Sequence, residues 1–282
     1  MGINGETRLV GILGHPVTHT LSPRMQNAAF EAMGLNIRYV PLHVLPENLP
    51  AAVAGIRAME FLGANVTIPH KVPVCDLLDH LDISASRAGA VNTIVNRDGV
   101  LEGHNTDGAG FIRAIGETAD IDFTAAAVVI LGAGGAARSI AVALAEKGAP
   151  RITIINRTRR RAEDLKSLFN RDFPALEVII RLPDEDTSDL ISTSRLLINA
   201  TSVGMEGHLK SVPMDVDRLT NDHVVCDIVY AAQEAPLLVA AREKGATVMG
   251  GLAMLLHQGA ASIHLWTGED PPLSVMRNAL ES

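Results

Sequence analysis

The chain of 282 residues is 47% hydrophobic and 20% charged, the composition of a globular protein with a full core, and its length predicts two domains. Aromatic residues make up only 3%, so aliphatic side chains must fill that core. The net charge of −8 argues against nucleic acid as the main partner, because phosphate binding takes a basic surface, and leaves an anionic small molecule open.

In chain order, Arg8 to Leu13 reads as a strand, Pro23 to Met33 as a helix closed by Gly34, and Ile37 to Val44 as a second strand. Glu47 to Met59 reads as a helix and Glu60 to Val66 as a third strand. This alternation predicts a parallel sheet covered on both faces. Gly108 to Gly116 carries Phe111, Ile112 and Ile115 at helical spacing and predicts a connecting helix, with the first domain boundary beside it. A second series follows, with a strand over Ala125 to Leu131, a helix over Ala136 to Lys147, a strand over Arg151 to Ile155 and a helix over Arg161 to Phe169. Leu196 to Asn199 and Val224 to Val229 are further strands.

Within the second series, Leu131-Gly132-Ala133-Gly134-Gly135-Ala136-Ala137 joins a buried strand to an apolar helix. That context suits a dinucleotide: Gly132 permits the tight turn, Gly134 lets backbone approach a pyrophosphate, and Ala137 keeps helix and strand close. A glycine-rich turn without a ligand is the alternative. The next strand ends in Asn156-Arg157-Thr158-Arg159-Arg160-Arg161 and has no acidic residue there to bind a ribose 2′-hydroxyl. Arginines with paired donors suit a 2′-phosphate instead, which favours NADP over NAD. A solvated helix start would explain some of them, although cations are unfavourable at a helix N-terminus.

Three polar patches interrupt the first half. In His19-Thr20-Leu21-Ser22-Pro23, Ser22 has the pattern of a helix N-cap before proline, while Thr20 has no such local role; both hydroxyls could serve a carboxylate at this helix start. In Asn65-Val66-Thr67-Ile68-Pro69-His70-Lys71, a lysine follows a strand end, where open α/β sheets bind ligands, although exposed loop lysines are common. His70 reads equally as a hydrogen-bonded neighbour. The third patch runs from Asn92-Thr93 to Asn105-Thr106-Asp107. Asp107 either caps the connecting helix or pairs with Lys71, with Asn65, Thr67 and Asn92 supplying neutral hydrogen bonds. Such a set suits binding several hydroxyls and moving one proton.

Cys75 and Cys226 match no metal or redox spacing, and neither His15 with His19 nor His257 with His264 makes a persuasive ligand pair, so no metal is expected. The N-terminus lacks the apolar run of a secretion signal, and no apolar stretch nears the roughly 20 residues that span a bilayer. A soluble, cytoplasmic protein without a membrane partner is expected.

Taken together, these motifs resemble the shikimate dehydrogenase family over nearly the whole chain. The resemblance rests on Gly14-His15-Pro16 through Ser22-Pro23 and Asn27, Asn65-Val66-Thr67 to Lys71, Gly89 to Thr93, Asn105-Thr106-Asp107, Gly132 to Ala137 and Asn156-Arg157-Thr158. It continues through Asn199-Ala200-Thr201-Ser202, Asp227 to Tyr230, Pro236-Leu237-Leu238, Gly251-Leu252 to Met254-Leu255, Gln258 and Trp266-Thr267-Gly268.

The resemblance implies a two-domain α/β enzyme with a cleft between its domains. Residues 1–108 would bind substrate, residues 109–250 would form a Rossmann-type NADP domain, and helices in residues 251–282 would return to complete the first. It implies reversible NADP(H)-dependent reduction of 3-dehydroshikimate to shikimate, by a monomer or homodimer. Thr20 and Ser22 would bind the substrate carboxylate, and Asn65, Thr67, Asn92, Asp107 and Gln258 its hydroxyls, with Tyr230 bordering the substrate. Lys71 would transfer the proton beside Asp107. Gly132, Ala133, Gly134, Gly135, Ala136, Asn156, Arg157, Thr158, Arg161, Thr201, Ile228 and Gly251 would contact the cofactor. Two departures bear on this. Thr20 stands where the biosynthetic enzymes commonly carry serine, which keeps quinate open as an alternative substrate; Ala232 and Ala235 replace a common proline and threonine in the cofactor-side loop.

Overall fold

A computed structural model describes residues 2–201, 203, 214–230 and 234–282. Ser202 and Ala232 therefore lie outside the described residues. The chain forms two compact units, residues 1–110 with 255–282, and residues 111–254.

The first unit is built on β1 (Arg8–Gly14), α1 (Ser22–Ala32), β2 (Ile37–His43), α2 (Leu49–Ala58), β3 (Gly63–Val66), β4 (His80–Leu81), α3 (Ile83–Ala88), β5 (Thr93–Arg97), β6 (Val100–His104) and the start of α4 (Asp107–Thr118). Its sheet has the order β2-β1-β3-β5-β6-β4. The β1 strand pairs in parallel with β2 and β3, as the alternation of elements predicts. The β3–β5 and β5–β6 pairs are antiparallel, so the sheet is mixed rather than parallel. The cause is local. Asp98 and Gly99 both adopt positive φ, 53° and 88°, the geometry of a two-residue turn that matches strand twist and closes a hairpin.

The α1 helix begins at Ser22 with Leu21 at the N-cap position, and no side chain caps it. Ser22 is thus not the cap that its position before Pro23 suggests. Thr20 does the local work, its Oγ1 accepting the Ser22 N–H at 3.3 Å. A cluster of aliphatic residues with Phe61, including Leu13, Val53, Ile56, Val66 and Ile94, fills one side of the sheet. The C-terminal helices α9 (Gly251–Thr267, from Leu255 onward) and α10 (Leu273–Glu281) belong to this unit. Trp266 Nε1 donates to Ile94 O at 2.9 Å, and Arg24 of α1 donates to Leu280 O at 2.7 Å. Gly63 is required here, since a Cβ would collide with Ile94 O and crowd the Trp266 indole.

The second unit contains β7 (Ala127–Leu131), α5 (Gly135–Glu146), β8 (Arg151–Ile155), α6 (Arg159–Asp172), β9 (Glu177–Arg181), α7 (Ser188–Ser192), β10 (Leu196–Asn199), β11 (Val224–Asp227), α8 (Pro236–Glu243) and β12 (Thr247–Gly250). The sheet order is β12-β11-β10-β7-β8-β9, and every pair is parallel. This is the doubly wound Rossmann order, with its switch point between β7 and β10. No helix among the described residues is long and apolar enough to cross a membrane.

Candidate active site

In the first unit, the loop after β3 carries Lys71 and the first residue of α4 is Asp107. Lys71 Nζ donates to Asp107 Oδ2 at 2.5 Å, with side chains 15% and 5% exposed. The loop is held in register by the Val91 N–H donating to Lys71 O at 2.7 Å. The other Asp107 oxygen, Oδ1, accepts from Asn92 Nδ2 at 2.8 Å. Its carboxylate is therefore shared between a cation and an amide. His70 is fully buried and bonds through Nε2 to Val44 O at 2.7 Å, as a structural tie.

Behind this pair lies a buried polar network. Asn92 Nδ2 also donates to Thr106 Oγ1 at 2.8 Å, while its Oδ1 accepts from Thr106 N at 2.8 Å and Thr93 Oγ1 at 3.0 Å. Gln258 Oε1 accepts from Asn92 Nδ2 at 3.3 Å, which brings α9 to the same point. Asn65 Nδ2 lies 3.0 Å from each of Asn92 O, Thr93 Oγ1 and Ser262 Oγ, and its Oδ1 accepts from Tyr39 Oη at 2.8 Å. The amides of Asn65 and Asn92 are thus engaged within the protein. By contrast, no hydrogen bond engages the hydroxyls of Ser22 and Thr67 among the described residues, and both remain available to a ligand.

Sequence reasoning grouped Lys71 and Asp107 with Asn65, Thr67 and Asn92, the family resemblance added Gln258, and all six lie in the first unit. Sequence reasoning missed Tyr39 and Ser262. Both left a signal: Tyr39 is one of two tyrosines, set among aliphatic residues, and a buried tyrosine hydroxyl needs a partner. Ser262 stands one helical turn beyond Gln258. Tyr230 belongs to the second unit, half-buried three residues beyond β11.

The glycine turn of the second unit lies at the switch point. Gly132 has φ 108°, and a Cβ there would stand 2.8 Å from Ala200 O. Gly134 is the N-cap of α5 with no side-chain cap, and a Cβ on it would meet nothing within 4 Å. Open space beside Gly134 and a first turn of α5 without a side-chain cap, at the carboxyl end of β7, fit a pyrophosphate. Ala137 is fully buried against the sheet.

At the end of β8, Asn156 N donates to Arg181 O at 3.1 Å and Asn156 Nδ2 to Thr158 O at 2.8 Å. The α6 helix starts at Arg159, earlier than its periodicity suggests, so Arg159, Arg160 and Arg161 all lie in its first turn, without an acidic residue. Thr201, Ile228 and Gly251 are tied together around Asp227. Asn199 Nδ2 and Val229 N each donate to an Asp227 oxygen at 2.9 Å, while Asn199 Oδ1 accepts from Thr201 Oγ1 at 2.7 Å. Burial pushes the Asp227 carboxyl up, against those two hydrogen bonds. Gly251 packs so closely that a Cβ would collide with Ile228 O. Ala235 occupies the N-cap of α8 without a side-chain cap. Among the described residues no group of three or more His, Cys, Asp or Glu is placed to hold a metal ion.

A Rossmann-ordered sheet with an open glycine turn, in a chain that also buries a lysine–aspartate pair, defines a dinucleotide-dependent oxidoreductase. Three family profiles cover the chain in sequence: shikimate dehydrogenase substrate binding domain over residues 12–94, shikimate/quinate 5-dehydrogenase over 115–228, and shikimate 5′-dehydrogenase C-terminal domain over 251–281. The chain is 46% identical to the NADP(+) shikimate dehydrogenase of Moorella thermoacetica, over 99% of this chain and 94% of that one. A shikimate dehydrogenase crystallised with NADP+ superposes with TM-score 0.91 at 40% identity, over 99% of this chain and 96% of the other. The quinate dehydrogenase of Corynebacterium glutamicum in complex with NAD gives TM-score 0.88 at 32% identity, over 98% and 99%. The chain belongs to the shikimate dehydrogenase family.

Proposed function

We propose that the chain catalyses the reversible, NADP(H)-dependent reduction of 3-dehydroshikimate to shikimate, with residues 1–108 and 251–282 binding substrate and residues 109–250 binding cofactor. The observation that carries the reading is the Lys71–Asp107 pair, held at 2.5 Å and anchored by Asn92. The cofactor supplies the hydride. In reduction the ring oxygen gains negative charge, and Lys71 Nζ gives it a proton while Asp107 Oδ2 keeps the ammonium aimed. In oxidation the hydroxyl proton passes back to Lys71 Nζ as the hydride leaves the ring.

The uncommitted hydroxyls of Ser22 and Thr67, with Thr20 and Gln258, orient the carboxylate and ring hydroxyls, and Tyr230 borders the ring. Asn65 and Asn92 fix Asp107 and its neighbours while they hold the ring hydroxyls, Asn65 through the second lone pair of its Oδ1. Backbone from Gly132 to Ala136 holds the pyrophosphate. Asn156, Arg157, Thr158 and Arg161 hold the adenosine ribose and its 2′-phosphate. Thr201, Ile228 and Gly251 line the nicotinamide side. The reaction belongs to the cytoplasm.

Replacing Lys71 with Ala is expected to lower turnover about 10²- to 10⁴-fold with the fold intact by circular dichroism; near-normal turnover would remove Lys71 from this role. Quinate is the second reading, favoured by Thr20. Its methyl crowds the carboxylate end, and its hydroxyl is drawn to the Ser22 N–H. Steady-state rates with shikimate and quinate, each with NADP+ and NAD+, separate the two readings.

A further inference from the structure

The segment after β8 contains no acidic residue, but the fold brings one to it from elsewhere. Glu185, four residues beyond β9, holds Arg159 Nη2 at 2.9 Å through Oε1 and stands 3.8 Å from Arg181 Nε through Oε2. Among the described residues, no other carboxylate pairs with an arginine of the stretch from Arg157 to Arg161. Glu185 also lines a cavity of about 360 Å³ with Ile155, Asp186, Thr187 and Asp215, at the carboxyl end of β8. The Glu185 and Arg159 side chains are 36% and 49% exposed, so this ion pair does little for the stability of the fold.

We propose that Glu185 is a specificity-determining residue for the cofactor. Its carboxylate competes with the ribose 2′-phosphate for Arg159 and restores, from beyond β9, the acidic group that favours a 2′-hydroxyl. The proposal rests on the reading of Arg157 and Arg161 as holding the 2′-phosphate and extends that role to Arg159. Two physical effects act in one direction. A guanidinium already engaged by a carboxylate must exchange that partner before it can fork onto a phosphate. A fixed negative charge a few ångströms from a phosphate bearing about two charges also repels it, in a setting wet enough for salt to screen the repulsion. A ribose carrying only a hydroxyl meets neither penalty, because a carboxylate accepts its hydrogen bond. The chain thereby carries an arginine cluster selecting NADP(H) and an acid blunting that selection.

The test is a fluorescence titration of the intact protein with NADPH and with NADH, without organic substrate. Glu185→Gln is expected to tighten NADPH about three- to tenfold, to leave NADH unchanged or weaker, and to lose most of its effect at 0.5 M salt. NADPH binding that is unchanged or weaker in the variant, or an equal gain for both cofactors, would overturn the proposal. The underlying reading is checked separately by Arg161→Ala, which should weaken NADPH and spare NADH. If it affects both equally or neither, the 2′-phosphate reading fails, and the proposal with it.

Discussion

Asp107 can serve Lys71 only because its second oxygen is already satisfied. A carboxylate 5% exposed with one idle oxygen would draw in water or turn from the lysine; Asn92 Nδ2 removes that freedom. The chain of constraint continues outward, from Asn92 to Thr93 and Asn65 and from Asn65 to the Tyr39 hydroxyl. Tyr39→Phe deletes the last donor and leaves Asn65 Oδ1 buried without a partner. We expect a loss of about 1–3 kcal/mol in urea unfolding, the usual cost of an unsatisfied buried acceptor; a change below 0.5 kcal/mol would mean that water replaces the tyrosine. At this scale the sequence was informative about residue types and silent about their internal partners. Asn65 and Asn92 read as ligand groups because their motifs were polar, and only the hydrogen-bond partners show how fully the protein itself engages them. Ser22 read as a cap from its proline neighbour, whereas the ring fixes the start of α1 without a capping side chain.

Elements were legible where periodicity was strong and lost where a turn decided the topology. The Asp98-Gly99 pair is a hairpin signal, yet β5 and β6 are short and follow an α/β rhythm that suggests a parallel continuation. The edge strands β9 and β12 escaped because each is short and only partly buried. Between β4 and β5, α3 shows how one side chain secures an element beside the site. Asp82 accepts from the Ala85 N–H at 2.9 Å as N-cap, and from Ser84 Oγ at 2.7 Å, with His104 Nδ1 at 3.4 Å. Burial pushes its carboxyl up, but His104 and the two local donors outweigh it and hold the pKa at about 2, below 3.8. A depressed folded-state value means the stabilisation is complete above 3.8 and disappears as pH falls through about 2. Asp82→Ala should therefore cost about 0.5–2 kcal/mol at neutral pH. Chemical unfolding at stepped pH should show the gap from wild type closing between pH 4 and 2. A gap that persists unchanged at pH 2 would assign the effect to packing.

For the whole molecule, the same 282 residues build two cores, and the first is closed by the C-terminal helices. No local pattern announces that return. It depends on pairs far apart in sequence, such as Trp266 with Ile94 and Arg24 with Leu280, and family resemblance alone made it legible. Two cores and two ligands make stability separable. A ligand that binds only the native state stabilises what it binds by RT ln(1 + [L]/Kd), about 2.7 kcal/mol at a hundredfold excess over Kd. NADPH should deliver that to the unit containing α5 and α6, and shikimate to the unit containing α1 and Lys71. Removing residues 269–282 deletes α10, together with the Leu280 carbonyl that Arg24 of α1 holds at 2.7 Å and the buried Met276 and Leu280 side chains, so it should weaken the first unit alone. Calorimetry of that truncation should then show a lowered transition that shikimate raises, and a second transition that NADPH raises as in the full chain. A single transition displaced equally by either ligand, with or without α10, would mean that the two cores unfold as one cooperative body.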